Sequence, residues 1–157
     1  IEKVTLNIGC GDDKIKIEKA QKLLQMLTSK KPVVTKSLKR STFGMAKGRP
    51  IGVKVTLRDE NAENFFNSIL KSVDATKISQ IDNRGNISFG VKEYIDLPNV
   101  RYSPEIGMLG MDVAVTLERS GYRVKKRRVM KAIIGKKHMI TKDDTINWLK
   151  QRGVKLA

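Results

Sequence analysis

KSLKRSTFGMAKGRPIGVKVTLR, residues 36–58, runs from a basic, glycine-punctuated loop into an alternating strand without a break. Val53, Val55 and Leu57 alternate with Lys54, Thr56 and Arg58, the two-residue period of a strand with one apolar and one cationic face. Before it, Gly44, Gly48, Pro50 and Gly52 interrupt both helical and strand periods, so Lys39, Arg40, Lys47 and Arg49 are expected to stand out in a loop. The expected result is a basic arm over residues 36–52 on a rigid base. Composition alone leaves two readings of that arm, a solvated surface loop and a phosphate-binding one.

Outward from this strand the same two periods recur. Behind it, Asp59 is placed to cap a helix whose Ala62, Phe65, Phe66, Ile69, Leu70 and Val73 form an apolar stripe. Ahead of the arm, Pro32 to Lys36 is short and β-branched and predicts an edge strand. Residues 14–28 place Ile17, Ala20, Leu23, Leu24 and Leu27 at helical spacing, with Lys31-Pro32 as the stop. At the start, Val4, Leu6 and Ile8 alternate with Lys3, Thr5 and Asn7; further on, Ile87, Phe89 and Val91 alternate with Ser88, Gly90 and Lys92. Val113, Val115 and Leu117 alternate with Asp112, Ala114 and Thr116. A loop containing Pro98, Pro104, Gly107 and Gly110 joins the last two strands. Strands with one polar face, and helices to cover the other, predict an α+β two-layer sandwich with a mostly antiparallel sheet.

Past Glu118 the character changes to a basic connector ending in a helix. Thr141 followed by Asp144 has capping-box spacing, Ile146 and Leu149 form one apolar stripe, and Trp148 falls at its edge. The division expected is an α+β domain over 1–118, the arm 36–52 included, and a basic extension over 119–157, docked on that domain or on a partner that its charge selects.

Charge decides the class of partner. The 157 residues hold 32 lysines and arginines against 16 aspartates and glutamates, a net charge of +16. Self-repulsion on this scale is tolerated mostly where a polyanion neutralises it. From Lys19 to Arg58 there are eleven cations and no carboxylate, and from Arg119 to Lys142 ten cations and none. The intervening span has ten acids and five bases, so two separate polyanion contacts are implied. Within the second zone Arg123, Lys125, Lys126, Arg127, Arg128, Lys136 and Lys137 are the candidate contacts.

Several chemistries are excluded or weakened. Gly9 and Gly11 lie in the right place for a dinucleotide-binding turn, but the third glycine would fall at Lys14. One histidine, His138, and one thiol, Cys10, make no triad and no zinc site, so no metal and no cofactor are expected. Asp12-Asp13 and Asp143-Asp144 precede helices, where carboxylates favour the helix N-terminus; a magnesium-dependent nuclease using them is the weaker alternative. No run approaches the roughly 18 apolar residues of a membrane span, and no membrane contact is expected. What remains is nucleic acid, met by the outward strand residues Lys3, Asn7, Lys54, Thr56 and Arg58 through phosphate and 2′-hydroxyl contacts. Phe43, the arm's one aromatic, either stacks on a nucleotide or pins the loop to the core. Few aromatics argue for recognition of folded RNA by shape.

KVTLNIG at 3–9, KKPVVTKSLKRSTFGMAKGRPIGVKVTLR at 30–58 and RGNISFGVKE at 84–93 resemble, in order and spacing, the family of 5S-RNA-binding large-subunit ribosomal proteins numbered five in bacteria and eleven in eukaryotes. SPEIGMLGMDV at 103–113 and GKKHMITKDDTINWLKQ at 135–151 resemble its archaeal and eukaryotic branch. The resemblance implies a structural protein of the central protuberance, cytoplasmic in the ribosome and without catalytic activity. An asparagine and a threonine of the family's 5S rRNA contact fall on Asn7 and Thr56. A glutamine of that contact falls on Lys30, a departure that substitutes a cation for an amide. The family's long loop reaches the elbow of the P-site tRNA, which implicates Lys39, Arg40, Ser41, Phe43, Lys47 and Arg49. Implied partners also include 23S-type rRNA and neighbouring ribosomal proteins of the central protuberance and small subunit. The family carries a helical segment before the first strand, which is expected upstream of Ile1. A non-ribosomal RNA-binding protein or RNA chaperone would share every electrostatic feature and stands as the alternative.

Overall fold

A computed structural model describes residues 1–157 except 41, 43, 73–76, 98–99 and 155–157. Ser41, Phe43, Val73 and Pro98, singled out above, lie outside the described residues. The described chain folds into β1 (Lys3–Gly9), α1 (Lys14–Thr28), β2 (Val33–Lys36), β3 (Pro50–Leu57), α2 (Asp59–Ser72), β4 (Ile87–Val91), β5 (Met111–Thr116), α3 (Arg123–Lys126) and α4 (Lys142–Gln151). The strands form one sheet in the order β2-β3-β1-β5-β4 with every pairing antiparallel. This is the α+β sandwich that the alternation predicts.

The inner face is built from the apolar half of each alternating strand. Val4, Leu6 and Ile8 of β1 stand beside Val53, Val55 and Leu57 of β3 and Val113 and Val115 of β5, all buried. α1 lies over β3 and β2, and α2 over β1, so Leu23, Leu24, Phe66 and Ile69 complete the core. Burying each such aliphatic or aromatic side chain contributes about 1.5–3 kcal/mol.

Three local expectations need correction. Pro50 and Gly52 do not break the sheet; they belong to β3. Proline is accommodated as a strand's first residue. Gly52 pairs with Gly9, where an added Cβ would come within 2.6 Å of the Ile8 carbonyl oxygen, so the two chains approach closely because it is glycine. α1 spans Lys14–Thr28 as its spacing predicts, but what stops it is Ser29 rather than Lys31-Pro32: Ser29 turns left-handed at φ 52° and its amide caps back onto the Gln25 carbonyl. Asp59 is the first residue of α2, with φ 56°, and swings the chain from β3 straight into the helix. Aspartate is one of the few residue types that tolerate this conformation.

The basic C-terminal part returns to the body through α4. Thr141 and Asp144 form the expected reciprocal cap, and Thr145 and Leu149 are fully buried. Trp148 stacks on Phe66 of α2 with ring centroids 5.7 Å apart, and the Arg152 guanidinium lies over the indole at 4.3 Å. Gly85, at φ +75°, admits this contact, because a Cβ there would meet the Thr145 hydroxyl oxygen at 2.5 Å. That hydroxyl instead donates to the Gly85 carbonyl at 3.0 Å.

Candidate nucleic-acid interface

Among the described residues no helix is packed on the outer face of the sheet, which collects the polar half of each strand. Its register sets Asn7 directly opposite Lys54 on one side and Asp112 on the other. One row further, Thr5 stands between Thr56 and Ala114, and beyond it Lys3 is opposite Thr116. Lys54 and Thr56 are exposed; Lys3, Thr5 and Asn7 are half-buried. Four of the predicted contact residues, Lys3, Asn7, Lys54 and Thr56, are thus brought together on adjacent paired strands, with Arg58 just past the end of β3. Hydroxyl, amide and ammonium groups held at strand spacing can meet phosphate and ribose without first being ordered, which removes an entropic cost of binding. Lys30 is not in this register. It follows the left-handed Ser29, with its amide donating to the Thr28 hydroxyl at 3.4 Å.

Arg58 and Lys126 are partly engaged inside the protein. The Glu2 carboxylate receives Lys126 Nζ and, at 3.5 Å, the Arg58 guanidinium; Glu118 receives Lys126 at 2.9 Å. Partial burial alone would raise the Glu2 carboxyl, but the hydrogen bond and charge of Lys126, with Lys3 and Arg58 nearby, outweigh it and hold the group below the usual carboxylate range. Lys126 is affected in mirror image: desolvation opposes its charge, and the two carboxylates more than compensate, raising its pKa. Sequence reasoning marked Lys126 as an RNA contact and overlooked Glu2 and Glu118. No local signal could have linked them, since Glu2 and Lys126 are 124 positions apart.

The arm is the loop of the β2–β3 hairpin. It closes at its base by two backbone hydrogen bonds, Ser37 N to the Arg49 carbonyl and Gly48 N to the Ser37 carbonyl, each 2.8 Å. Lys39, Arg40 and Lys47 are exposed beyond that closure, while Arg49 pairs with Asp12 of the β1–α1 turn. Leu38 is 85% exposed, so the described part of the arm is not fastened by apolar burial there. The arm presents its charge on the hairpin loop rather than on the paired strands.

In the extension, the Tyr122 hydroxyl donates to the His138 carbonyl at 3.2 Å and accepts the Ile140 amide at 2.7 Å, tying residues 16 and 18 positions away. His138 Nε2 lies 2.8 Å from the Ser120 carbonyl oxygen. Arg123, Lys125, Arg127, Arg128, Lys136 and Lys137 are all exposed around this scaffold. The Arg127 guanidinium donates to the Met130 carbonyl at 2.7 Å, and Arg119 pairs with Asp144 at 3.0 Å.

The carboxylate pairs have structural work. Asp13 caps α1, accepting from the Ile15 and Lys16 amides, while Asp12 holds Arg49. Asp144 accepts from the Thr141 amide and hydroxyl with Arg119 beyond, which keeps its carboxyl below the usual range. Cys10 is buried, and desolvation pushes its thiol up, the reverse of what a nucleophile requires. Among the described residues no group of three or more His, Cys, Asp or Glu is placed to hold a metal ion. None of the described helices is long and apolar enough to cross a membrane.

Comparison with known proteins gives a consistent picture. Residues 1–42 match the family model for ribosomal protein L5, and residues 50–148 match the model for the C-terminus of the same ribosomal family. Large ribosomal subunit protein uL5 of Sulfurisphaera tokodaii is 50% identical over 155 residues, covering 96% of this chain and 87% of that protein. The protein of the same name from Sulfolobus acidocaldarius is 48% identical over 153 residues, covering 96% and 86%. That of Nanoarchaeum equitans is 45% identical over 154 residues, covering 96% and 90%.

Proposed function

The chain belongs to the ribosomal L5 family, and from that premise we propose that its outer sheet face holds 5S rRNA while its arm contacts the P-site tRNA elbow. Its role is that of a structural, RNA-binding component of the large ribosomal subunit in translation, not of an enzyme. The observation that carries the finer reading is the register itself. Asn7 opposite Lys54, with Thr56 one row away, presents neutral donors and acceptors among ammonium groups on a backbone that does not have to move. Phosphate contacts then position the RNA, and the amide and hydroxyl groups read its shape.

The arm supports the tRNA half of the proposal, since Lys39, Arg40 and Lys47 are exposed beyond the hydrogen bonds that close the hairpin loop at its base. Ser41 and Phe43 complete the tRNA set on the resemblance alone. The extension's exposed cations are assigned to 23S-type rRNA and Lys30 to a phosphate of the 5S contact. Residues 1–118 form the RNA-binding domain, and 119–157 the extension that α4 holds against it.

The test is affinity of the purified chain for 5S rRNA against double-stranded RNA of equal length. A clear preference for 5S rRNA is expected. Asn7→Ala and Thr56→Ala should each weaken that binding by about 1–3 kcal/mol, because the RNA group facing them is left buried and unpaired. Equal affinity for both RNAs, or no change in either variant, overturns the assignment.

A further inference from the structure

Asp112 is the one carboxylate among the strand residues of the outer face, placed beside Asn7 and two strands from Lys54. It is exposed and has no ion-pair partner among the described residues. On a surface that meets phosphate, a free negative charge weakens binding unless the RNA brings a donor to it.

The ground around Asp112 suggests that it does. Asn7, Gly9, Gly90, Lys92, Gly110 and Asp112 border a hollow of about 380 Å³ on this face. Gly90 sits inside β4, where glycine is destabilising by about 0.5–1 kcal/mol relative to alanine, and Gly9 is the last residue of β1. Neither has a positive φ. A Cβ at Gly9 would have nothing within 4 Å, and one at Gly90 would meet only Asp112 Oδ1, at 3.7 Å. The fold therefore gives no reason for glycine at either position. Bare backbone inside a strand, with room for a side chain left unfilled, is the pattern of a site that another molecule approaches closely.

Resting on the reading of this face as the 5S rRNA contact, we infer that the hollow is an RNA subsite. Asp112 accepts a hydrogen bond there from an RNA donor, either a ribose 2′-hydroxyl or the amino group of a guanine. Gly9 and Gly90 let the nucleotide lie against the backbone, and Lys92 meets the adjoining phosphate. Asp112 is then a specificity determinant: phosphate and most base acceptors are repelled, and a donor is selected.

The sign of one substitution separates this from a purely electrostatic face. Removing a negative charge from a surface that binds polyanion should tighten binding, whereas Asp112→Ala is expected to weaken 5S rRNA binding about tenfold, the scale of one lost charge-assisted hydrogen bond. Gly9→Val, which fills the hollow from open space, should weaken it similarly, and both variants should melt as the parent does. Unchanged or tighter binding by Asp112→Ala overturns the inference, as does full affinity in Gly9→Val. Sparse incorporation of inosine or of 2′-deoxynucleotides into 5S rRNA identifies the donor. One analogue should weaken binding to the parent chain at a position where it no longer matters to Asp112→Ala, and the absence of any such position also overturns the inference. Asn7→Ala and Thr56→Ala in the same assay keep the two readings apart: if they lose affinity while Asp112→Ala does not, the subsite alone fails; if they do not, the sheet-face assignment itself fails.

Discussion

The two carboxylate-free zones hold nearly equal charge and are fastened in opposite ways. Residues 19–58 set their cations on a helix, on paired strands and on a hairpin loop, and apart from Arg49 with Asp12, Lys22 with Glu105 and Arg58 with Glu2 the described ones form no ion pair. Residues 119–142 have little regular structure, and the segment is tied in from its ends. Arg119 and Lys126 pair with Asp144, Glu2 and Glu118, Tyr122 gathers the middle, and α4 inserts Leu149 into the core. Linear charge density therefore does not distinguish a cation offered to a partner from one that holds the fold. Each zone gives some cations to carboxylates, three in the first and two in the second, and every one of them lies off the paired strands, whereas Lys36 and Lys54, on β2 and β3, form no ion pair among the described residues.

The largest expected effect lies where the second zone is anchored. Leu149→Ala should cost about 2–5 kcal/mol of stability, as for other fully buried leucines, followed in denaturant titration by fluorescence of Trp148, the only tryptophan. Leu38→Ala, in the arm, should stay within about 0.5 kcal/mol of the parent. Equal losses would erase the contrast between the zones. Next is Thr145→Val, which leaves the Gly85 carbonyl without its donor and should cost about 1–2 kcal/mol in the same titration.

Glu2→Gln should cost less than about 1 kcal/mol at neutral pH, because Lys126 is half-exposed and the pair is screened. The sign with pH follows from the lowered folded-state pKa of Glu2. Its contribution is complete above the ordinary glutamate value of about 4.3 and disappears as pH falls through the folded value. Melting curves of parent and variant should converge only once pH has fallen below that lowered folded value; a gap that persists in acid strong enough to protonate Glu2 in the folded chain would mean that Glu2 acts by packing rather than by charge. Smallest in stability is Lys39→Ala with Arg40→Ala, expected within about 0.5 kcal/mol of the parent. Its 5S rRNA affinity should also be nearly unchanged, with tRNA binding to ribosomes carrying it weakened. Loss of 5S rRNA binding would remove the division between sheet face and arm.

Much of this was readable in the sequence. The alternation in residues 3–8, 53–58, 87–92 and 112–117 announced which side chains face the core, because a strand's two-residue period is local. The Thr141–Asp144 cap and the α1 boundaries at Lys14 and Thr28 were likewise local. The Ser29 stop was missed because proline is the louder signal and a left-handed serine has none. Gly52 was read as a breaker because its reason, the Ile8 carbonyl, lies on another strand. At the interface, Asn7, Lys54 and Thr56 were each marked as outward-facing, but their adjacency is a matter of register. Asp112 is legible as a carboxylate in the polar half of an alternating strand, but its place beside Asn7, Gly9 and Gly90 comes from strand pairing.

By itself, then, the sequence determined the kinds of element, their inward faces and a polyanionic partner, since periodicity and net charge need no knowledge of what lies across the fold. The tertiary structure alone decided the strand order that sets Asn7 between Lys54 and Asp112, and which cations Glu2, Glu118 and Asp144 withdraw from the surface. It also decided that α4 closes on Gly85. Those outcomes depend on contacts between residues as far apart as Glu2 and Lys126, and no local pattern encodes which distant partner a side chain will meet.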